Sequence, residues 1–413
     1  MRIARLTVAL TTGLALVTAC GGTDGGKSDG ADAGGGPETI VFALAGLGPE
    51  GEATQAAIKD FERANPSIKV EVQVLSTDAT QYLQQLQHRF VAGSGTPDVF
   101  KVDGIYPASL AKAGWLLDLD TLKPDLGAFM PSSLTAGRYQ GKTYAVPWFI
   151  NTEGLFYRTD LVKVPPKTPE ELVAAAQAAM KANPKVKYGL AFEGAKYEGA
   201  ITAFLAMAGG FGGKLDPANL DTPENRRALR FMRDSIHQTK IAPQAVTGWK
   251  EGEVQQAFSS GQAVFALNWP FVFSASEGMP AAGKIGFAPF AGTGATLGAE
   301  MLAINGKSAH TAASWKLIQH LTSADVQVKR ALATGNPPSV TAAYNETLFA
   351  EAPYFKQVQK VAEVAVQRPV ATNYPKISDR LQTMLSSVLS NLTPPEQALT
   401  TAASEVRDIA ANG

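Results

Sequence analysis

Cysteine occurs once in the 413 residues, at Cys20, so a disulfide within the chain is excluded. Histidine is almost as scarce. His88, His237, His310 and His320 stand at spacings unlike those of metal ligands, and each reads as a surface or capping residue, so no metal site is expected. Charge of one sign is not in excess: 37 basic side chains face 37 acidic ones without long runs of either, which argues against nucleic acid or an anionic lipid surface as the main partner. Catalytic signatures are missing too. There is no Gly-x-Ser-x-Gly elbow and no His-Glu-x-x-His pair, and Gly306-Lys307-Ser308 lacks the leading glycine of a phosphate loop because Met301 holds that place. No cofactor is expected.

What is present begins at the N-terminus. Arg2 and Arg5 introduce an apolar stretch of about a dozen residues, too short to span a bilayer, which ends in Val17-Thr18-Ala19-Cys20. Residues 1–19 therefore read as a signal peptide, and Cys20 as the first residue of the mature chain. The run resembles a bacterial lipobox, whose cysteine is acylated, and several buried acyl chains hold a protein at a membrane far longer than one. Residues 21–37 carry eight glycines and almost nothing apolar, a flexible linker whose ends lie roughly 20 to 25 Å apart. Without the leader, 35 basic side chains remain against 37 acidic, a formal charge of −2.

About 375 residues follow, more than one hydrophobic core usually serves, and 45% of the chain is apolar, so a body of two lobes is expected. Thr39–Leu44 is a continuous apolar run suited to a strand covered on both faces. A helix through Ala53, Ala57, Ile58, Phe61 and Ala64 and an alternating strand from Ile68 to Val74 complete a strand-helix-strand unit. Such a crossover joins parallel strands, hence an open α/β sheet. A second helix (Tyr82, Leu83, Leu86, Phe90) and a strand over Pro97–Val102 continue the pattern. Ligands of such sheets sit past the carboxyl ends of strands, where Glu50 and Asp103 fall. Tyr144–Arg158 reads as two strand pieces separated by turn residues and as a passage between lobes. Thr168-Pro-Glu-Glu171 and Thr393-Pro-Pro-Glu396 both predict a capped helix start. Further helices are expected around 223–239, 251–260, 310–321, 323–333, 353–366 and 376–391, and strands at 263–267, 285–287 and 301–304.

Over essentially the whole mature length the chain resembles the extracellular solute-binding proteins of ATP-driven sugar importers, trehalose and maltose binders above all. The residues that carry the resemblance are Ile40–Gly46 with Glu50, Pro97-Asp-Val-Phe with Asp103, Gly114-Trp-Leu116, Tyr144-Ala-Val-Pro147, Asn268-Trp-Pro270, Leu297-Gly298, Arg368-Pro369 and Tyr374-Pro375. The resemblance implies two α/β lobes of the type II binding-protein fold, joined by a hinge of strand crossings. The lobes would be 38–147 plus 302–349, and 148–301 plus 350–413. It also implies a carbohydrate between the lobes, a membrane permease as partner and a monomer outside the cytoplasm held only by its lipid anchor. Glu50 and Asp103 match the family's acceptors for sugar hydroxyls, Phe149 and Asn151 fall where it places an aromatic and an Asp, Trp269 matches its stacking ring, and Arg368 an arginine reaching in from the second lobe. These types suit a pyranose, whose faces are apolar and whose rim is polar.

Two departures stand out. Tyr82 occupies the neighbourhood of a sugar-binding arginine, with Gln81 beside it as a substitute polar contact. Gly298-Ala299-Glu300 replaces Gly-Gly-Trp, losing a ring and adding a carboxylate that accepts hydroxyls, pairs with an amine, or points elsewhere. The sequence thus predicts a binding subunit for a disaccharide, trehalose or a related glucoside. Two rivals are an exported glycosidase using Glu50, Asp103 or Glu300 and a sensory sugar-binding protein.

Overall fold

The computed structural model describes residues 37–46, 49–76 and 79–412. The predicted signal peptide, Cys20 and the linker up to Gly36 lie outside them. Among the described residues no helix is long and apolar enough to cross a membrane.

The expected crossover unit is present. Strand β1 (Glu38–Ala45) pairs in parallel with β2 (Ile68–Leu75) on one side and β3 (Val99–Asp103) on the other, with helices Pro49–Ala64 and Ala79–Val91 as the connections. After a small hairpin of β4 (Arg138–Tyr139) and β5 (Lys142–Thr143) comes β6 (Ala145–Arg158). This strand corrects the sequence reading. Fourteen residues run without a break where two pieces were expected, because different partners take up its two halves: β10 (Thr296–Ile304) pairs with residues from Ala145 to Glu153, while β8 (Ala263–Asn268) and β9 (Ile285–Ala288) pair with Gly154–Arg158. The parallel partner of β8 is β7 (Tyr188–Ala191), and β11 (Val366–Gln367) lies along the start of β10. The resulting order is β2-β1-β3-β10-β6-β8-β7, with β9 on β6 and β11 on β10. Strands β6 and β10 therefore belong to both halves of the sheet.

Each half has its own interior. Phe42, Trp148, Leu302 and Leu317 pack in one core, with Phe149 among them. Phe204, Phe265, Leu229 and Leu385 pack in another, between helices Glu198–Gly210, Pro223–His237 and Tyr374–Leu389. Helix Glu198–Gly210 is apolar on nearly every face and is buried almost throughout, as such a helix must be.

Of the two look-alike helix starts, one caps as expected. The Glu171 backbone N–H donates to Thr168 Oγ1 at 3.2 Å, and Glu171 Oε2 in turn accepts from the Lys167 N–H. At the other, Pro394 is the cap residue, Thr393 makes no capping bond, and Glu396 pairs instead with Arg230. Gly306-Lys307-Ser308 is a structural turn: Ser308 Oγ donates to the buried Asp98 carboxylate, which also accepts the Val41 N–H. Three of the histidines make contacts between elements: His237 Nε2 is 2.9 Å from the Leu389 carbonyl, His320 Nε2 2.9 Å from that of Ala57, and His310 Nδ1 2.9 Å from Glu38 Oε1.

Candidate functional site

A cavity of about 490 Å³ opens where β3, β10 and β6 meet helices Glu198–Gly210 and Glu251–Ser259. Its floor follows from strand register. Glu300 pairs with Asp103 across β10–β3, and Gly298 pairs with Asn151 across β10–β6. Residues paired across strands, or two apart along one, share a sheet face, so Lys101, Asp103, Glu300 and Asn151 all stand on the side that faces the cavity.

Trp269 forms the apolar wall. It follows β8, and its backbone N–H is fixed by Asn268 Oδ1, whose amide donates to the Glu251 carbonyl. A methyl group at Gly298 would lie 3.3 Å from the indole, so the missing side chain lets the ring approach the strand. Gly298 positions Trp269. Similarly, Gly104 leaves room for the carbonyl of Ala299, which its N–H reaches at 2.7 Å, and this close approach sets Asp103 at the strand end.

Arg368 is 4% exposed and joins the two halves. Its Nη2 donates to Asp103 Oδ1 and Oδ2 at 2.8 and 2.9 Å, and its Nη1 to Glu198 Oε1 at 2.9 Å. Glu198 is satisfied further by Tyr374 Oη at 2.6 Å and by Ser378 Oγ. Burial alone would lower the guanidinium's proton affinity, but Asp103 and Glu198 outweigh it and raise it. The second charged group lies on the sheet. Lys101 Nζ is 3.2 Å from Glu300 Oε2 and 3.9 Å from Glu50 Oε1, and Arg330 is 3.3 Å from Glu50. Burial pushes Glu300 up to about 7; Lys101 opposes this and Asp103 and Glu50 add to it.

The cavity gathers Tyr82, Asp103, Asn151, Trp269, Gly298, Glu300 and Arg368 from the sequence prediction. Three predicted residues are not in its lining. Phe149 pairs with Glu300 but is buried in the first core, with Lys101 Nζ 5.9 Å and the Arg330 guanidinium 4.0 Å from its ring centroid. Glu50 stands behind Lys101 in the first turn of its helix, and Gln81 is exposed and accepts from Ser76 Oγ. Tyr82 donates its hydroxyl to the Ala43 carbonyl at 3.1 Å, so its ring wall rather than its hydroxyl faces the cavity.

Sequence reasoning missed Lys101, Tyr106, Tyr197, Glu198, Glu251 and Glu253, which also line the cavity. Two carried a signal. Lys101 interrupts the apolar strand Val99-Phe-Lys-Val, and Glu198 heads an apolar helix; a charge in either place needs a partner.

Two strand groups sharing long connecting strands, with an aromatic wall and a ring of polar groups between them, define a protein built to hold a small ligand. The chain belongs to the bacterial extracellular solute-binding proteins, whose family pattern matches residues 45–328. These are binding proteins rather than enzymes, and they work outside the cytoplasm. A probable ABC transporter-binding protein of Deinococcus radiodurans is 31% identical over 402 residues, covering 91% of this chain and 94% of its own. Among solved structures, the maltose-bound MalE3 of T. maritima is 33% identical with a TM-score of 0.84, the match covering 90% of this chain and 99% of that one. A solute-binding protein of Thermotoga lettingae TMO bound with α-D-tagatose is 27% identical with a TM-score of 0.81, covering 90% and 99%. The two-lobed architecture is theirs as well as this chain's.

Proposed function

We propose that this protein is the binding subunit of an ABC sugar importer, capturing a carbohydrate of up to disaccharide size between its lobes and presenting it to the permease. The observation that carries the reading is the gathering of Trp269 with Asn151, Asp103, Glu300 and Arg368 in the lining of one cavity. An indole covers a sugar's C–H face while charged and amide groups bond its hydroxyls in a space shielded from water. Maltose and tagatose in the two structural neighbours support the ligand class. Trehalose and related glucose disaccharides, with their amino derivatives, are the ligands proposed first.

The lobes are proposed as 38–147 plus 302–349, and 148–301 plus 350–413, closing on ligand because only a sugar touching both shifts the population. Acylation at Cys20, a monomeric state and release to a permease complete the proposal. Calorimetry of the full chain in mild detergent against trehalose, maltose, tagatose, amino sugars and polyols tests it. At least one saccharide should bind and be recovered intact, and Trp269→Ala should weaken it about tenfold or more. Absence of heat with every saccharide would overturn the reading.

A further inference from the structure

Five carboxylates, Asp103, Glu198, Glu251, Glu253 and Glu300, line the cavity, against the three cations Lys101, Lys250 and Arg368. Their pairing leaves the balance uneven. Arg368 serves Asp103 and Glu198 together, one positive charge between two negative ones. Lys101 and Arg330 stand against Glu300 and Glu50, yet Glu300 Oε2 is buried without a hydrogen bond among the described residues. Lys250, its Nζ 5.1 Å from the Tyr197 ring, stands beside both Glu251 and Glu253 in sequence and is their neighbouring cation among the lining residues. The described wall thus has two more acidic side chains than basic ones.

The surroundings bear the same mark. Glu153 and Glu193 are fully buried behind this wall, close enough for Glu153 to raise the proton affinity of Glu193, and none of their carboxyl oxygens has a hydrogen-bond partner among the described residues. Burial, with Glu251 adding to it, pushes Glu153 up to about 8, so this side of the cavity retains a proton rather than accept another negative charge. On the floor, Asn151 Oδ1 is a buried acceptor without a hydrogen bond, two residues along the sheet face from Glu300. A hydroxyl would satisfy that acceptor and leave the acidic excess of the lining as it is. An ammonium group satisfies both, with three N–H donors and a positive charge.

We infer that the carbohydrate preferred by this cavity carries a protonated amine, seated on the floor against Glu300 and Asn151, while Trp269 covers the sugar face. The inference rests on the carbohydrate reading above and narrows it. It makes Glu300, which replaces an aromatic residue of the resembled family, a determinant of specificity.

Matched ligands test it: glucosamine, N-acetylglucosamine and glucose, together with chitobiose, its diacetylated form and maltose, each titrated calorimetrically into the full chain in detergent. The free-amine member should bind about tenfold or more tighter than its acetylated and hydroxyl counterparts. Its affinity should also fall with added salt while theirs stays level. Glu300→Gln should reduce the preference for the amine by about tenfold, whatever it does to binding of the neutral forms. If the acetylated or hydroxyl form binds as tightly as the amine, or if Glu300→Gln leaves their ratio unchanged, the inference is wrong while the carbohydrate reading stands. If no member of either series binds, both fall.

Discussion

At Glu153 the chain buries a carboxyl in the middle of a long strand, where an apolar side chain would pack at lower cost. Its folded-state value of about 8 lies above the ordinary 4.5, with burial the largest cause. The folded protein therefore holds this proton where the unfolded chain has released it. Below about 4.5 both states are protonated and the contribution to stability is complete; it declines between about 4.5 and 8 and levels off above. Chemical denaturation across that window should show wild-type stability falling as pH rises, by up to about 1.4 kcal/mol per pH unit for one group. Glu153→Gln should flatten the slope, and an unchanged slope would show that the carboxyl is ionised in the folded state. Arg368 teaches a related lesson. Sequence resemblance marks it as a sugar contact, but its buried bonds to Asp103 and Glu198 make truncation a structural injury as well as a binding one.

Elements that depend on neighbours in sequence were legible, and those that depend on neighbours in space were not. The β1-helix-β2 unit follows from apolar spacing, which changes from helical to alternating between Ala64 and Ile68. The unbroken β6 does not, because Pro147, Asn151 and Gly154 look like turn residues until β10 and β8 supply their partners. The paired capping motifs separate the two cases in one experiment. Thr168→Ala removes an observed cap and should cost about 1 kcal/mol. Thr393→Ala removes no cap and should fall within about 0.5 kcal/mol of wild type by urea denaturation. Equal losses at both sites would mean that Thr393 caps its helix in solution.

Across the whole molecule, the link from Asp103 on β3 through Arg368 to Glu198, Tyr374 and Ser378 ties one half of the sheet to the helices of the other. Asp103→Asn weakens that tie by removing its charge. In the absence of sugar the variant should scatter X-rays with a larger radius of gyration than wild type; an identical radius would show that the shared strands β6 and β10 alone hold the halves in place. The same link explains which site residues could be read in advance. Asp103 and Trp269 mark strand ends, a position legible in local pattern, whereas Glu198 enters from a helix 95 positions after Asp103, and Phe149 is kept out of the cavity lining by the buried Arg330 guanidinium and Lys101 over its ring.

The order of residues by itself determined the strand-helix alternation, the apolar interiors and the kinds of side chain available to a ligand, since these arise from spacing and polarity along a few turns of chain. Which carboxylates meet which cations was decided only by tertiary structure. Ion pairs such as Lys101 with Glu300, and Arg368 with both Asp103 and Glu198, join positions far apart in the chain, and the charge left in the cavity depends on those meetings.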